Sequence, residues 1–221
     1  MVATLDLPPL YPPTALSIKA DAREHGLRVG ALAGQIAEAL GMSSLAYRRL
    51  AAAAVPHDIG KTVLPPEILL LPGKLDAAQF EIVRQHVVAG ERLARRLPGE
   101  HEILAATIAR SHHERFDGHG YPDGLSGDSI PLAVAIVSVA DVFDALTADR
   151  PYRAAFSHAE ALALMRLERG RQFAPAVLDA FLDRVAPRSI VAPRRLAIVP
   201  LPQAPNLPRA AFRHRRTAVA S

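Results

Sequence analysis

The chain has 221 residues, half of them hydrophobic, enough for one domain of ordinary size with tails. It contains no Cys, which excludes disulfides and thiolate metal sites and leaves His, Asp, Glu or water to hold any metal. The net charge is +4, yet eight Arg and no Asp or Glu lie from Arg184 onward; subtracting them leaves the body at −4, no sign of a nucleic-acid-binding core.

Residues 1 to about 16 are Pro-rich and read as an extended leader. They show neither a basic n-region nor a continuous apolar h-region, so no signal peptide is expected. The longest apolar stretch, Pro131 to Ala140, is too short to span a bilayer and ends on Asp141. A cytoplasmic location is expected, and the lack of Cys fits it.

Helical periodicity runs from there to about Val185. The first helix is expected over Ile18–Leu40, with Val29, Leu32, Ile36 and Leu40 on one face and Gly41 as its stop. A second covers Leu45–Asp58. A third starts at Asp76, which with Gln79 suits a capping box, and carries Phe80, Val83, Val87, Gly90, Leu93 and Leu97 on one face. The fourth covers Glu100–His113 and leads into a Gly-rich loop, Phe116–Ser129. Pro131 suits the first turn of a fifth helix reaching Ala148. Ser157 with Glu160 caps a sixth, ending near Gly170, and Pro175 opens a seventh, ending near Val185. No alternating strand pattern of useful length appears. The expected fold is all-α, a bundle of about seven helices over residues 17–185. Residues 186–221, rich in Pro, Arg and Ala, read as a linker or a disordered tail.

Several residues are candidates for chemistry. His57-Asp58 places an imidazole and a two-oxygen carboxylate side by side at an expected helix end, a pair able to reach two neighbouring metals. As a dipeptide it is also common as a capping or solvated pair. His86 lies beside Val87 on an apolar face, where a lone His is more often a satisfied core residue. His112-His113 closes the fourth helix and would serve equally as a solvated turn. Asp141 lies in line with Val134, Val137 and Ala145, so it should face the core, where a carboxylate needs a partner or a metal. Asp21 and His25 share a helix face. Each bland reading is reasonable singly and much less so for all of them together.

In order, the chain shows His25-x-x-Arg28-Val29, His57-Asp58-Ile59-Gly60-Lys61, Leu71-Pro72-Gly73-Lys74-Leu75 and His86-x-x-x-Gly90. Then come HHERFDGHGYPDGLSGDSIP from His112 to Pro131 and Asp141-Val142-Phe143-Asp144-Ala145-Leu146-Thr147-Ala148-Asp149-Arg150-Pro151-Tyr152-Arg153. This series resembles the HD-GYP family of the HD-domain phosphohydrolases over about residues 21–183. The resemblance implies a metal-dependent phosphodiesterase that cleaves cyclic di-GMP to the linear dinucleotide, with a further step to GMP left open. It implies two or three divalent transition-metal ions, Fe or Mn ahead of Zn or Ni. His57, Asp58, His86, His112, His113 and Asp141 would be ligands, with Asp58 bridging. His25 and Asp21 match a third metal's position, where Asp21 stands for the family's Glu on a shorter arm. Lys61 would meet the scissile phosphate or leaving oxygen, and Asp58 with Lys61 would serve catalysis. Arg150, Arg153, Asp144, Gly120, Tyr121 and Pro122 match the substrate side; ordinary pairing of the arginines with Asp149 or Asp144 is the alternative. Diguanylate cyclase (GGDEF) domains or a second copy of the chain are the partners left open. The rivals are hydrolysis of another cyclic dinucleotide or nucleotide phosphoester, and a degenerate domain that binds partners.

Three positions depart from the family pattern. Pro56 precedes His57, where a helix would lose a donor and meet a clash at the Ala52 carbonyl, so a kink is expected unless the helix ends there. Pro66 replaces an Asp. Ala174 replaces an Asp before Pro175, which removes a helix cap worth about 1 kcal/mol.

Overall fold

Helix α1 spans Ala15–Ala39 in the computed structural model, which describes residues 15–71, 73–149 and 154–185, with side chains from residue 23 to 183. It stops at Gly41, whose φ of 79° lets the Gly41 and Met42 amides turn back to the Glu38 and Ala37 carbonyls, each at 3.0 Å. Ser43 then caps α2 (Ser44–Ala54) by accepting from the Ala46 amide.

α2 ends four residues earlier than its expected end at Asp58. Val55 closes it with a long bond to the Ala52 carbonyl (3.4 Å), and the His57 amide bonds to Ala54. Pro56 therefore sits in the turn beyond the helix, where its missing donor is not needed. The expected kink does not arise, and the interior-proline cost of about 3 kcal/mol does not apply. A 3-10 segment, Ile59–Val63, and a four-residue helix α3 (Pro66–Leu69) follow. Pro66 occupies the first turn of α3, where proline is preorganised.

Asp76 and Gln79 form the full capping box of α4 (Ala77–Ala94). α5 (Glu102–Ser111) leads into the loop, and α6 (Leu132–Thr147) begins after Pro131. Ser157 and Glu160 form a second capping box on α7 (His158–Leu167), and α8 (Pro175–Val185) closes the described chain. Among the described residues the fold is thus all-α with eight helices, one more than expected because α3 is too short to show periodicity.

α6 is the axis of the fold: it packs against α1, α5, α7 and α8. Ile136 to Ala140 are consecutively buried, so this helix is covered on every side. Val29, Ala33 and Ile36 of α1, Ile108 of α5 and Phe181 of α8 complete the core. The small residues along α1, α2 and α5 let the helices approach closely, which brings polar side chains from five elements to one point.

Candidate metal centre

The polar cluster is built from α1, the turn after α2, α4, the end of α5 and α6. His57 and His86 are completely buried, and His112 and Asp58 nearly so. Burying so many ionisable groups together is costly unless they are paired or bind metal. Their donor atoms fall into two groups. One holds Asp58, His86, His112 and His113; the other holds His25, His57 and Asp141; within each, the atoms lie within 4.8 Å of one another.

Asp58 joins the two groups. Its Oδ1 lies 3.4 Å from His86 Nε2 and 3.6 Å from His112 Nε2. Its Oδ2 lies 3.6 Å from His57 Nε2, which is 3.7 Å from Asp141 Oδ1. His25 Nε2 approaches the same Asp141 oxygen at 3.1 Å. Donors about 2.1 Å from a shared ion stand roughly 3–3.5 Å apart at tetrahedral angles, so these spacings suit one ion in each group.

Local structure sets these positions. His57, His86 and His112 each direct Nδ1 to a backbone carbonyl one turn back: Ala54 at 3.0 Å, Val83 at 2.5 Å and Ala109 at 3.1 Å. Nε2 is thereby aimed inward, the outer-shell arrangement of a metal-binding imidazole. His25 directs Nδ1 to Asp144 Oδ2 at 2.7 Å, and Asp144 is also held by Arg28 through contacts of 2.7 and 3.0 Å. The 3-10 segment lies so close to α4 that a Cβ on Gly60 would collide with the His86 carbonyl and stand 2.6 Å from the Gly90 amide. That close approach presents Lys61 to Asp58 Oδ2.

Two buried atoms of this cluster, His57 Nε2 and Asp58 Oδ1, have no hydrogen-bond partner among the described residues. Native proteins rarely leave such atoms unmatched. Both lie where an ion would accept their lone pairs, so the residues present fit a metal.

Charge is divided unevenly in the protein alone. Burial pushes the His86 pKa down to about 4, and burial also holds His113 well below the ordinary imidazole range. For His25, burial opposes the charged form, but Asp141 and Asp144 outweigh it and lift the pKa to about 9. His57 is raised too, with burial overcome by Asp58 and Asp141. Burial would raise Asp58 and Asp141, yet Lys61 and His57 hold the first, and His25 and His57 the second, well below the usual carboxylate range.

The loop after α5 folds back over the site. The Tyr121 amide donates to the His113 carbonyl at 3.2 Å, and a Cβ on Gly120 would stand 2.5 Å from the Glu114 Cα. Tyr121 stacks on His113 with centroids 4.9 Å apart, meets Phe80 edge-on and lies 4.7 Å from the Arg84 guanidinium carbon. Pro122 follows through a cis peptide bond. The pairing of Asp144 with His25 and Arg28 places it behind the candidate ligands. Arg150 and Arg153 lie outside the described residues, as does the side chain of Asp21. The leader up to residue 14 and the tail from 186 do also. At the edges of the Arg150 segment, Ala155 donates to Asp149 and Phe156 to the Leu146 carbonyl.

Sequence reasoning missed Glu114, Arg110 and Arg84. Glu114 is almost fully buried and accepts from the Asp123, Gly124 and Leu125 amides at 2.7, 3.2 and 3.0 Å. Arg110 grips Asp123 with two 2.8 Å bonds and Glu91 with a third. An acid directly after two candidate ligands and before a Gly-rich loop was the available signal for Glu114.

A family model described as an HD domain matches residues 8–177. The chain belongs to the HD-domain family. Its motif series, from His57-Asp58 to Gly120-Tyr121-Pro122, puts it with the HD-GYP members. It is 44% identical over 155 residues to the cyclic di-GMP phosphodiesterase response regulator RpfG of Xanthomonas campestris pv. campestris, covering 70% of this chain and 41% of the relative. It is 35% identical over 172 residues to the 3'3'-cGAMP-specific phosphodiesterase 2 of Vibrio cholerae, covering 76% and 33%. The chain thus spans less than half the length of these relatives. A solved HDG"Y"P protein of Bdellovibrio bacteriovorus shares the fold, with a TM-score of 0.58 at 18% identity over 77% of this chain and 57% of that one. No described helix is long and apolar enough to cross a membrane.

Proposed function

We propose that this HD-domain chain is a metal-dependent phosphodiesterase acting on cyclic di-GMP and yielding the linear dinucleotide, with a further step to GMP left open. The observation that carries the reading is Asp58: one oxygen faces His86 and His112, the other faces His57, and Oδ1 is buried without a hydrogen-bond partner among the described residues. Asp58, His86, His112 and His113 would hold one ion, and Asp58, His57 and Asp141 a second. His25, with Asp21, would serve a third. Imidazole with carboxylate suits Fe, Mn, Zn or Ni better than Mg or Ca, and the family resemblance puts Fe or Mn first. When bound, such ions supply hydroxide near neutral pH and a Lewis acid for the phosphoryl oxygens.

The chain's own groups supply the rest. Lys61 stands at the edge of Asp58 and is partly exposed, so its ammonium can meet a phosphoryl or leaving oxygen. Arg150 and Arg153, just beyond α6, would grip phosphate or a guanine edge in bidentate fashion. Gly120, Tyr121 and Pro122 would form the wall beside His113. Asp144 acts through His25, which it orients.

The names of the relatives favour a second reading, hydrolysis of a mixed cyclic GMP-AMP dinucleotide. One sample decides. Protein purified without oxygen is assayed for metal, then for products from both dinucleotides. The proposal expects about two or more ions per chain and linear product from cyclic di-GMP first. Preference for the mixed dinucleotide would support the second reading; metal-free, inactive protein would support a partner-binding domain.

A further inference from the structure

His113 differs from the other candidate imidazoles. His25, His57, His86 and His112 each have Nδ1 fixed by a carboxylate or a carbonyl. Among the described residues, His113 has no hydrogen bond to either ring nitrogen. Its ring packs against three other rings: His112 at 4.1 Å, His86 at 5.1 Å and Tyr121 at 4.9 Å between centroids. The planes of His113 and Tyr121 are only 29° apart, a stacked pair. An imidazole without an outer-shell bond can turn about its last side-chain torsion, and a turned ring misaims its lone pair.

Tyr121 is itself held on both sides in sequence. Its amide is bonded to His113, and the three amides at 123–125 are bonded to Glu114. Arg110 fixes Asp123 from outside and ties it through Glu91 to α4. Phe80 and Arg84, one turn apart on α4, flank the Tyr121 ring. Glu114 adjoins His113 in the chain, so the clamp and the ligand are mechanically one unit.

We propose that Tyr121 orients His113 by stacking, in place of a hydrogen bond, and that Glu114 is the positioning residue that keeps Tyr121 there. The inference rests on the metal reading above. The ring of Tyr121 matters in this role and its hydroxyl does not.

The test is Mn(II) binding to the full chain by calorimetry, which needs no turnover. Tyr121→Leu and Glu114→Gln should each weaken the tighter Mn(II) step roughly 10-fold, the low end of outer-shell effects. The double variant should lose no more than the worse single one, because both act through one stack. Tyr121→Phe should stay within about twofold of the native chain, since the ring is kept. Should Glu114→Gln fail to fold, Arg110→Gln loosens the same loop from its exposed side, with a smaller loss in the same direction. Multiplying losses in the double variant, or a Tyr121→Phe loss equal to that of Tyr121→Leu, overturns the inference. So does unchanged Mn(II) affinity in the single variants. A native chain that takes up no Mn(II) overturns the metal reading together with it. Mn(II) uptake with the expected pattern but no hydrolysis of cyclic di-GMP removes the substrate and leaves the inference standing.

Discussion

The two halves of the centre hold their imidazoles in different ways. Around His86, His112 and His113 the rings are fixed by helix carbonyls or by stacking, and His86, with a pKa near 4, is neutral at neutral pH. Around Asp141, His57 is also aimed by a carbonyl, that of Ala54, but His25 is fixed by Asp144 and faces Asp141, and with a pKa near 9 it carries a proton. His86 and His113 offer lone pairs as they stand. The second half substitutes protons for cations, and an ion entering there must displace them. The same residue types thus make a site ready for metal and a site contested by protons, and the contested one is where Asp141 and Asp144 stand against His25.

Removing the residue that joins the halves should do most. Asp58→Ala should strip most of the metal and nearly all hydrolysis while the helices persist, read by metal quantification and far-ultraviolet circular dichroism. Full occupancy in that variant would take Asp58 out of the bridge. Single-sided changes should separate the halves. His86→Ala and Asp141→Ala should each cost about one ion, and different ones, because each contributes to a single tetrahedral set. Metal counts on the two variants check this; loss of all metal from both would show one inseparable cluster.

The substrate flank should respond more weakly and without metal loss. A charged hydrogen bond in a partly exposed pocket is worth about 1.5–3 kcal/mol, so Arg150→Ala should weaken substrate binding roughly 10- to 150-fold. Unchanged Michaelis constant and turnover would assign Arg150 to structure.

Much of this was readable before any coordinates. The helices with amphipathic faces and caps appeared where expected, and the candidate ligands lay in the ordered motifs. What could not be read depended on partners distant in the chain. The end of α2 was hidden because alanines continue the helical pattern from Ala51 to Ala54, and only the turn at Val55 stops it. Asp144 shares a face with Asp141, but a helix buried all round gives no polar side from which to place it. Glu114 gained its role from amides nine to eleven residues ahead, a fold-back that periodicity does not encode.

The smallest effect should come from Pro56, which stands beyond the helix and outside both halves. Proline in a compatible turn stabilises by about 0.4–1 kcal/mol through the unfolded chain, so Pro56→Leu should lower the melting temperature slightly and leave metal content alone. Paired melting curves, with and without metal, check this; a clear rise would mean that the proline is strained after all.

Anomalous diffraction from crystals soaked in Mn(II) tests the bridged two-half centre most directly. Two peaks should flank Asp58, one against His86, His112 and His113 and the other against His57 and Asp141. A single peak, or two peaks that do not share Asp58, would contradict it.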